Sequence, residues 1–359
     1  MECGVLYHKK LRDNSIKEVG FSSIEIRCGE KTTGIVQQAK GMIVPLKAKE
    51  IDNKKEVERV LKEGALEYLV VETCGCDELS AIEQFVEVFH PLIKENNLKV
   101  YVENGFIGDD AQGYVHCVYS QVEILRKIVL FGNQELGGEY FGICLNIGYG
   151  NLLAQNMRGM IEEANEYLGL IHINDNDGFH NDKQMPYTFT KGRGQQTTDW
   201  KRIWGALWRI GYDKRIVFDT EGLFEKTPEP LEKQMMKMLR SIVGELEEIN
   251  QIECLLGQKG KKRILFGSGL MFYNYMASFG EIYPPEFIVD NDKNKWGTSV
   301  LGIPVKNPEE ILSVPDKERN VIICNMHYDE IGQQLRRMGI KYHKYRDYYY
   351  NDSELLIGG

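Results

Sequence analysis

Several apolar runs in this chain end in side chains that could do chemistry: Glu72, Glu103 with Asn104, Asn146, His172 with Asp175, and Asp219 with Glu221. Carboxylates and an imidazole gathered in one place can hold a divalent cation through oxygen and nitrogen ligands. Such a cation polarises a carbonyl and steadies an enediolate while paired carboxylates move protons. Any one acidic residue at the end of an apolar run is more often a solvated loop residue. The chemistry therefore depends on a fold that brings these positions together.

The elements that would position them alternate along the chain. Strand-like runs fall at 4–7, 24–27, 41–46, 68–73, 99–104, 142–147, 169–175 and 215–220, with helical periodicity between many of them, at 76–96, 119–130, 156–168 and 200–210. Eight β-α units in about 250 residues match a (β/α)8 barrel, which places its site at the carboxyl ends of the strands. A doubly wound open sheet would alternate in a similar way. After a mixed helical stretch at 231–256, GQKGKK (257–262) reads as a linker. A fresh β-α pattern follows: strands in RILFGSG (263–269), FIVDND (287–292) and NVIICN (320–325), with helical segments at 308–312 and 329–337. The expected fold class is α/β: a TIM barrel over 1–256, then a small Rossmann-like parallel-sheet domain over 263–359.

Composition narrows the function classes. The chain has 359 residues, 42% hydrophobic and 27% charged, with a formal net charge of -9. The acidic balance argues against a general nucleic-acid partner, which needs a basic face. No apolar run approaches a membrane span, and the N-terminus lacks a signal-peptide core, so a cytoplasmic location is expected. The eight cysteines are scattered, several within apolar runs, and read as free thiols. The pair Cys74 and Cys76 is half a zinc site at best.

The segments KVYVENGF (99–106), ICLNIGYGN (143–151), LIHINDNDG (170–178), KGRG (191–194) and GYDKRIVFDTEG (211–222) resemble the xylose isomerase-like barrel group. GFSSIEIR (20–27) is similar to that group's early Gly-Phe-x-x-Ile-Glu strand. The group includes sugar phosphate isomerases/epimerases, ketose 3-epimerases and endonuclease IV. The resemblance implies one divalent metal (manganese, zinc or magnesium) held by Glu, Asp, His and Glu from four strand ends. Glu103 matches the first Glu and His172 the His. Asn146 stands in place of the Asp, Asp219 in place of the final Glu, and Tyr149 in place of a substrate-contacting His. The implied ligands are Glu103, Asn146, His172 and Asp219, with two negative charges where the group has three. Glu103 and Asp219 are the implied catalytic pair. Tyr149, Asp175, His180, Arg193 and Glu221 are the candidate substrate contacts. The trinuclear zinc site of endonuclease IV needs more histidines than these strand ends supply.

In the second domain, Gly267 and Gly269 follow a strand and begin a dinucleotide fingerprint that lacks its third glycine. Asp290 ends the next strand, where it could bond a ribose. The stretch FIVDNDKNKWGTSVLGIPVKNPEEIL resembles Rossmann-like domains of surface polysaccharide and nucleotide-sugar enzymes. The expected function is a metal-assisted sugar or sugar-phosphate isomerase/epimerase. Two alternatives stay open: a non-catalytic sugar- or nucleotide-sugar-binding protein with a decayed metal site, and an oxidoreductase carrying NAD in its second domain. The expected partner is a small-molecule sugar, and homo-oligomerisation is left open.

Overall fold

The computed structural model describes residues 1–11, 13–30, 35–46, 50–64, 66–189 and 198–345. The chain divides into two compact units, Met1–Ile249 and Asn250–Gly359. The helix Glu232–Leu256 begins in the first and ends in the second.

Eight parallel strands close the first unit into a barrel: β1 (Glu2–Leu6), β2 (Ser23–Arg27), β3 (Ala39–Pro45), β4 (Tyr68–Glu72), β5 (Lys99–Glu103), β6 (Phe141–Asn146), β7 (Leu168–Ile173) and β8 (Arg215–Phe218). The last strand pairs with the first, Arg215 to Phe218 lying opposite Glu2 to Val5. Successive side chains of a strand point to opposite faces. Ile24, Val71, Val102, Leu145, Ile171 and Phe218 face outward into the core shared with the helices. Leu6, Ile43, Val70, Cys144, Leu170 and Val217 fill the interior with Tyr68 and Tyr101. The same inner face, two residues further on, carries Glu72, Glu103, Asn146, His172 and Asp219. An apolar plug thus supports a polar layer at the carboxyl ends.

The helices bury one stripe each. Ser80–Asn96 turns Ile82, Phe85, Val86, Phe89, Leu92 and Ile93 inward at three- and four-residue spacing. Val122–Leu136 stops at Gly137, whose φ of 62° closes the helix in the left-handed conformation. The helix expected from residue 76 begins at Ser80. The preceding turn is held elsewhere, with Asp77 Oδ1 accepting from the Val118 amide at 2.7 Å. A hairpin, Ile107–Asp109 with Gly113–Val115, was not expected; each arm is too short to show a period.

The second unit holds β9 (Lys262–Phe266), β10 (Phe287–Val289), β11 (Ser299–Val300), β12 (Ile303–Lys306), β13 (Arg319–Ile323) and β14 (His343–Lys344). They lie in the order β11-β12-β10-β9-β13-β14, all parallel except the β11–β12 pair. Numbered along the chain, the parallel strands run 3-2-1-4-5, the order of a doubly wound sheet that reverses between β9 and β13. Apolar clusters cover both faces, Leu265, Ile288 and Ile322 on one and Ile264, Val289 and Val321 on the other. The expected strands of this unit form; β11, β12 and β14 were not expected, and two of them span only two residues. All eight cysteines are free thiols. Among the described residues, no helix is long and apolar enough to cross a membrane.

Candidate active site at the carboxyl ends of the barrel strands

His172 is fully buried at the end of β7, between two carboxyl groups. Its Nδ1 lies 2.6 Å from Glu103 Oε1 and its Nε2 2.9 Å from Glu25 Oε2. Each ring nitrogen therefore shares a hydrogen bond with a carboxyl oxygen, a setting that favours the charged ring. Burial works against that charge, but Cys144, Glu25 and Glu103 around the ring outweigh it and hold His172 well above its ordinary value. Glu25 is itself braced by the Tyr68 hydroxyl, which donates to Oε1 at 2.8 Å.

Asn146 does a different job from the one its position implied. It caps the helix Ile147–Leu152, its Oδ1 accepting from the Tyr149 amide at 3.2 Å and from Asn174 Nδ2 at 2.9 Å. Its Nδ2 donates to Glu103 Oε1 at 3.0 Å. Asn104 clamps the backbone of Asn146 from β5, accepting from its N–H at 2.6 Å and donating to its carbonyl at 3.2 Å.

Asp219, 1% exposed, faces two cations. Lys183 Nζ is 2.9 Å from its Oδ2 and an Arg27 nitrogen 3.6 Å from its Oδ1. Burial alone would raise this carboxyl; Lys183, Arg27 and His172 overcome burial and lower it to about 2. Arg27 continues outward to Glu72 at 2.9 Å and Glu221 at 3.7 Å. The ammonium of Lys183 also lies over the Tyr149 ring, 5.6 Å from its centre. Tyr149 in turn packs edge-on against Phe106, which packs edge-on against Tyr114 of the hairpin.

The structure thus gathers Glu103, Asn146, His172, Asp219 and Tyr149, with Glu221 at the solvent edge. Other expected contacts lie elsewhere. Asp175 is buried but braces its own loop, accepting from Thr198 Oγ1 at 3.0 Å and the Asn176 amide at 3.0 Å. Burial raises its carboxyl to about 6. His180 faces solvent and pairs with Asp177 at 2.8 Å, so it does not replace the missing histidine of the mouth. Arg193 lies outside the described residues. Glu25, Arg27 and Lys183 were not among the expected site residues. Glu25 and Arg27 alternate with Ile24 and Ile26 on β2, a period-two signal that could have found them; Lys183 sits in a loop and gave no signal.

The four expected metal ligands do not fit a divalent ion. Asn146 turns N–H groups toward Glu103 and spends its carbonyl on its cap. Both nitrogens of His172 are taken by carboxylates, and Asp219 is matched by Lys183 and Arg27. Ligand-type atoms of Glu103, Cys144 and His172 do approach within 4.8 Å of one another. Cys144, however, belongs to the apolar plug, and burial pushes its thiol up to about 12.

The barrel is similar in fold to solved sugar epimerases. L-ribulose 3-epimerase superposes with a TM-score of 0.51 at 13% identity, covering 73% of this chain and 100% of that one. The apo form of 3-keto-D-glucoside 4-epimerase YcjR from E. coli gives 0.49 at 15% identity, covering 67% and 99%. A D-tagatose 3-epimerase-like protein gives 0.46 at 20% identity, covering 68% and 99%. At 13% identity, the likeness to L-ribulose 3-epimerase shows a shared fold alone. No protein-family model matches the chain, and no curated protein matches it.

In the second unit, Gly267 has a φ of 110°, and a Cβ there would lie 2.6 Å from the Cys324 carbonyl. Gly269 caps the six-residue helix Leu270–Tyr275. Asp290 is engaged with this turn: Oδ2 accepts from the Ser268 amide at 3.1 Å, from the Ser268 hydroxyl and from Lys295 at 3.1 Å. A ribose reaching Asp290 would have to displace these partners.

Proposed function

We propose that the barrel mouth binds a sugar or sugar phosphate and acts as an isomerase or epimerase, with Glu103 and Asp219 moving the proton on the carbon beside its carbonyl. One observation carries this reading. At the mouth, the buried Asp219 Oδ1 and Arg27 Nε have no hydrogen-bond partner. Buried polar atoms are nearly always paired, so such atoms point to a ligand. One is an acceptor and the other a donor on the same cluster. A sugar hydroxyl both donates and accepts, the two capacities these atoms leave unmet. The position supports the same reading, since barrels of this kind carry their chemistry at the carboxyl ends of the strands. The nucleotide-sugar or surface-polysaccharide setting implied by residues 287–312 is kept as the expected context.

A second reading is favoured by the low pKa of Asp219. A carboxylate held at about 2 is a weak base. This fits a protein that binds a sugar without turning it over.

The test is to incubate the full chain in D2O with ketoses, aldoses and their phosphate esters, and follow deuterium entering the carbon beside the carbonyl by NMR. Exchange that falls at least a hundredfold in Asp219→Asn supports the isomerase reading. Thermal stabilisation without exchange supports the binding reading. Neither response with any sugar overturns both.

A further inference from the structure

The cations of the mouth are already engaged by its own side chains. Lys183 lies 2.9 Å from Asp219, and Arg27 lies 2.9 Å from Glu72 and 3.6 Å from Asp219. Asn146 turns an N–H toward Glu103 and spends its carbonyl oxygen on the helix it caps, so it offers no ligand atom to an ion.

Lys183 is placed with unusual care for a loop residue. Its φ is 46°, a left-handed conformation uncommon for a residue with a long side chain. Neighbouring contacts hold it there. Gln184 and Asp175 exchange two backbone hydrogen bonds of 2.9 Å at the end of β7. Asp182 approaches Gly222 so closely that a Cβ on the glycine would lie 1.8 Å from the Asp182 carbonyl oxygen. The Asn181 amide donates to Asp110 in the hairpin loop at 2.9 Å. Strained backbone that its surroundings fix in this way is typical of functional sites. The result is an ammonium 11% exposed, resting on Tyr149 and aimed at Asp219.

We propose that Lys183, seconded by Arg27, supplies the positive charge that a divalent ion would otherwise bring, so that the mouth handles a carbonyl-bearing sugar without a bound metal. This rests on the sugar reading above. When the ligand enters, the ammonium passes from Asp219 to the carbonyl oxygen. Asp219, released from its nearest cation, becomes the stronger base and takes the proton from the adjacent carbon. The C–H electron pair forms the enediolate double bond, and the carbonyl π electrons move to the oxygen that Lys183 neutralises. For epimerisation a proton from solvent reaches the opposite face of the same carbon and Asp219 gives its own proton to solvent; for isomerisation Asp219 returns its proton to the neighbouring carbon, while the hydroxyl on the carbon that lost its hydrogen passes its proton to the oxygen held by Lys183 and becomes the carbonyl. Either course restores the Lys183–Asp219 pair. No oxidant or reductant is consumed.

The experiment is elemental analysis of the purified full chain after incubation with manganese, zinc or magnesium and desalting. The wild type is expected to retain well under a tenth of one ion per chain. The double variant Asn146→Asp, Lys183→Met, which restores a carboxylate and removes the ammonium, is expected to rise toward one. If that variant does not fold by circular dichroism, Lys183→Gln is measured in its place and is expected to rise above wild type. About one ion per wild-type chain, lost in His172→Ala, overturns the proposal. So does a folded variant that retains no more metal than wild type. Metal content is read without any sugar. A chain that turns over no sugar therefore defeats the functional reading alone, and one that turns over sugar while holding metal defeats this proposal alone.

Discussion

Ion pairs close both ends of the barrel, but in different surroundings. At the amino end, Arg215 reaches Glu2 and also Glu67 at 3.0 Å, and Lys40 meets Glu67 at 3.0 Å. Water competes for these groups, since the Glu2 and Glu67 side chains are 49% and 46% exposed. Such pairs contribute about 0–1 kcal/mol. At the carboxyl end, Lys183 and Asp219 meet at nearly the same distance, 2.9 Å, but are 11% and 1% exposed. Removing one partner there strands a buried charge. The comparison teaches that distance alone does not set the weight of an ion pair: one end keeps its charges in water, while the other holds charge where it is expensive to keep.

The sharpest way to break this contrast is Lys183→Met. It should destabilise the fold by about 3–5 kcal/mol, read as a lower midpoint in urea, because Asp219 loses its closest cation. Adding Asp219→Asn should recover most of the loss; if it does not, the two residues are not coupled as the geometry states. Acid titration comes next. The Asp219 carboxyl is lowered in the folded state, so its contribution is complete above the ordinary value of 3.8 and is lost as pH falls through about 2. The loss should amount to about 2 kcal/mol of unfolding free energy and vanish in Asp219→Asn. His172 works in the opposite direction. Its raised value makes its contribution complete below 6.5 and lost as pH rises through the folded value, so His172→Gln should flatten the alkaline limb of the stability curve. Gly222→Ala should push the 182–184 loop away and cost about 1–3 kcal/mol. Glu2→Gln, at the amino end, should change stability by less than about 1 kcal/mol. A cost for Glu2→Gln equal to that for Lys183→Met would erase the distinction between the two ends.

Much of this was legible in the sequence, and the reason is periodicity. Val70 before Glu72, Tyr101 before Glu103, Leu170 before His172 and Val217 before Asp219 share an inner face at a spacing of two, so the polar layer is written above the plug. The duty of Asn146 was not legible. An asparagine aligned with a metal-binding aspartate gives no sign that it caps a helix until the following chain turns at Tyr149. Asp175 misled for a similar reason, since Thr198, which occupies it, comes 23 residues later. Lys183 could not be read at all. Its position depends on a left-handed backbone, a bridge to Asp175 and a close pass by Gly222, none of which leaves a pattern in the local residues.

Tyr68 runs between the two ends of the barrel. The Arg215 guanidinium lies 4.3 Å from its ring centre, and its hydroxyl holds Glu25 at 2.8 Å. A Cβ on Gly41 would lie 2.3 Å from the ring, so the tyrosine fills the place of a side chain that position 41 does not have. The two positions can therefore diverge only together. A lineage that gains bulk at 41 must shed the ring at 68 and leave Glu25 short of a donor, whereas one that keeps the ring must keep the glycine. This barrel's future sequences are constrained from within, by a pairing of shape that selection on any ligand would have to respect.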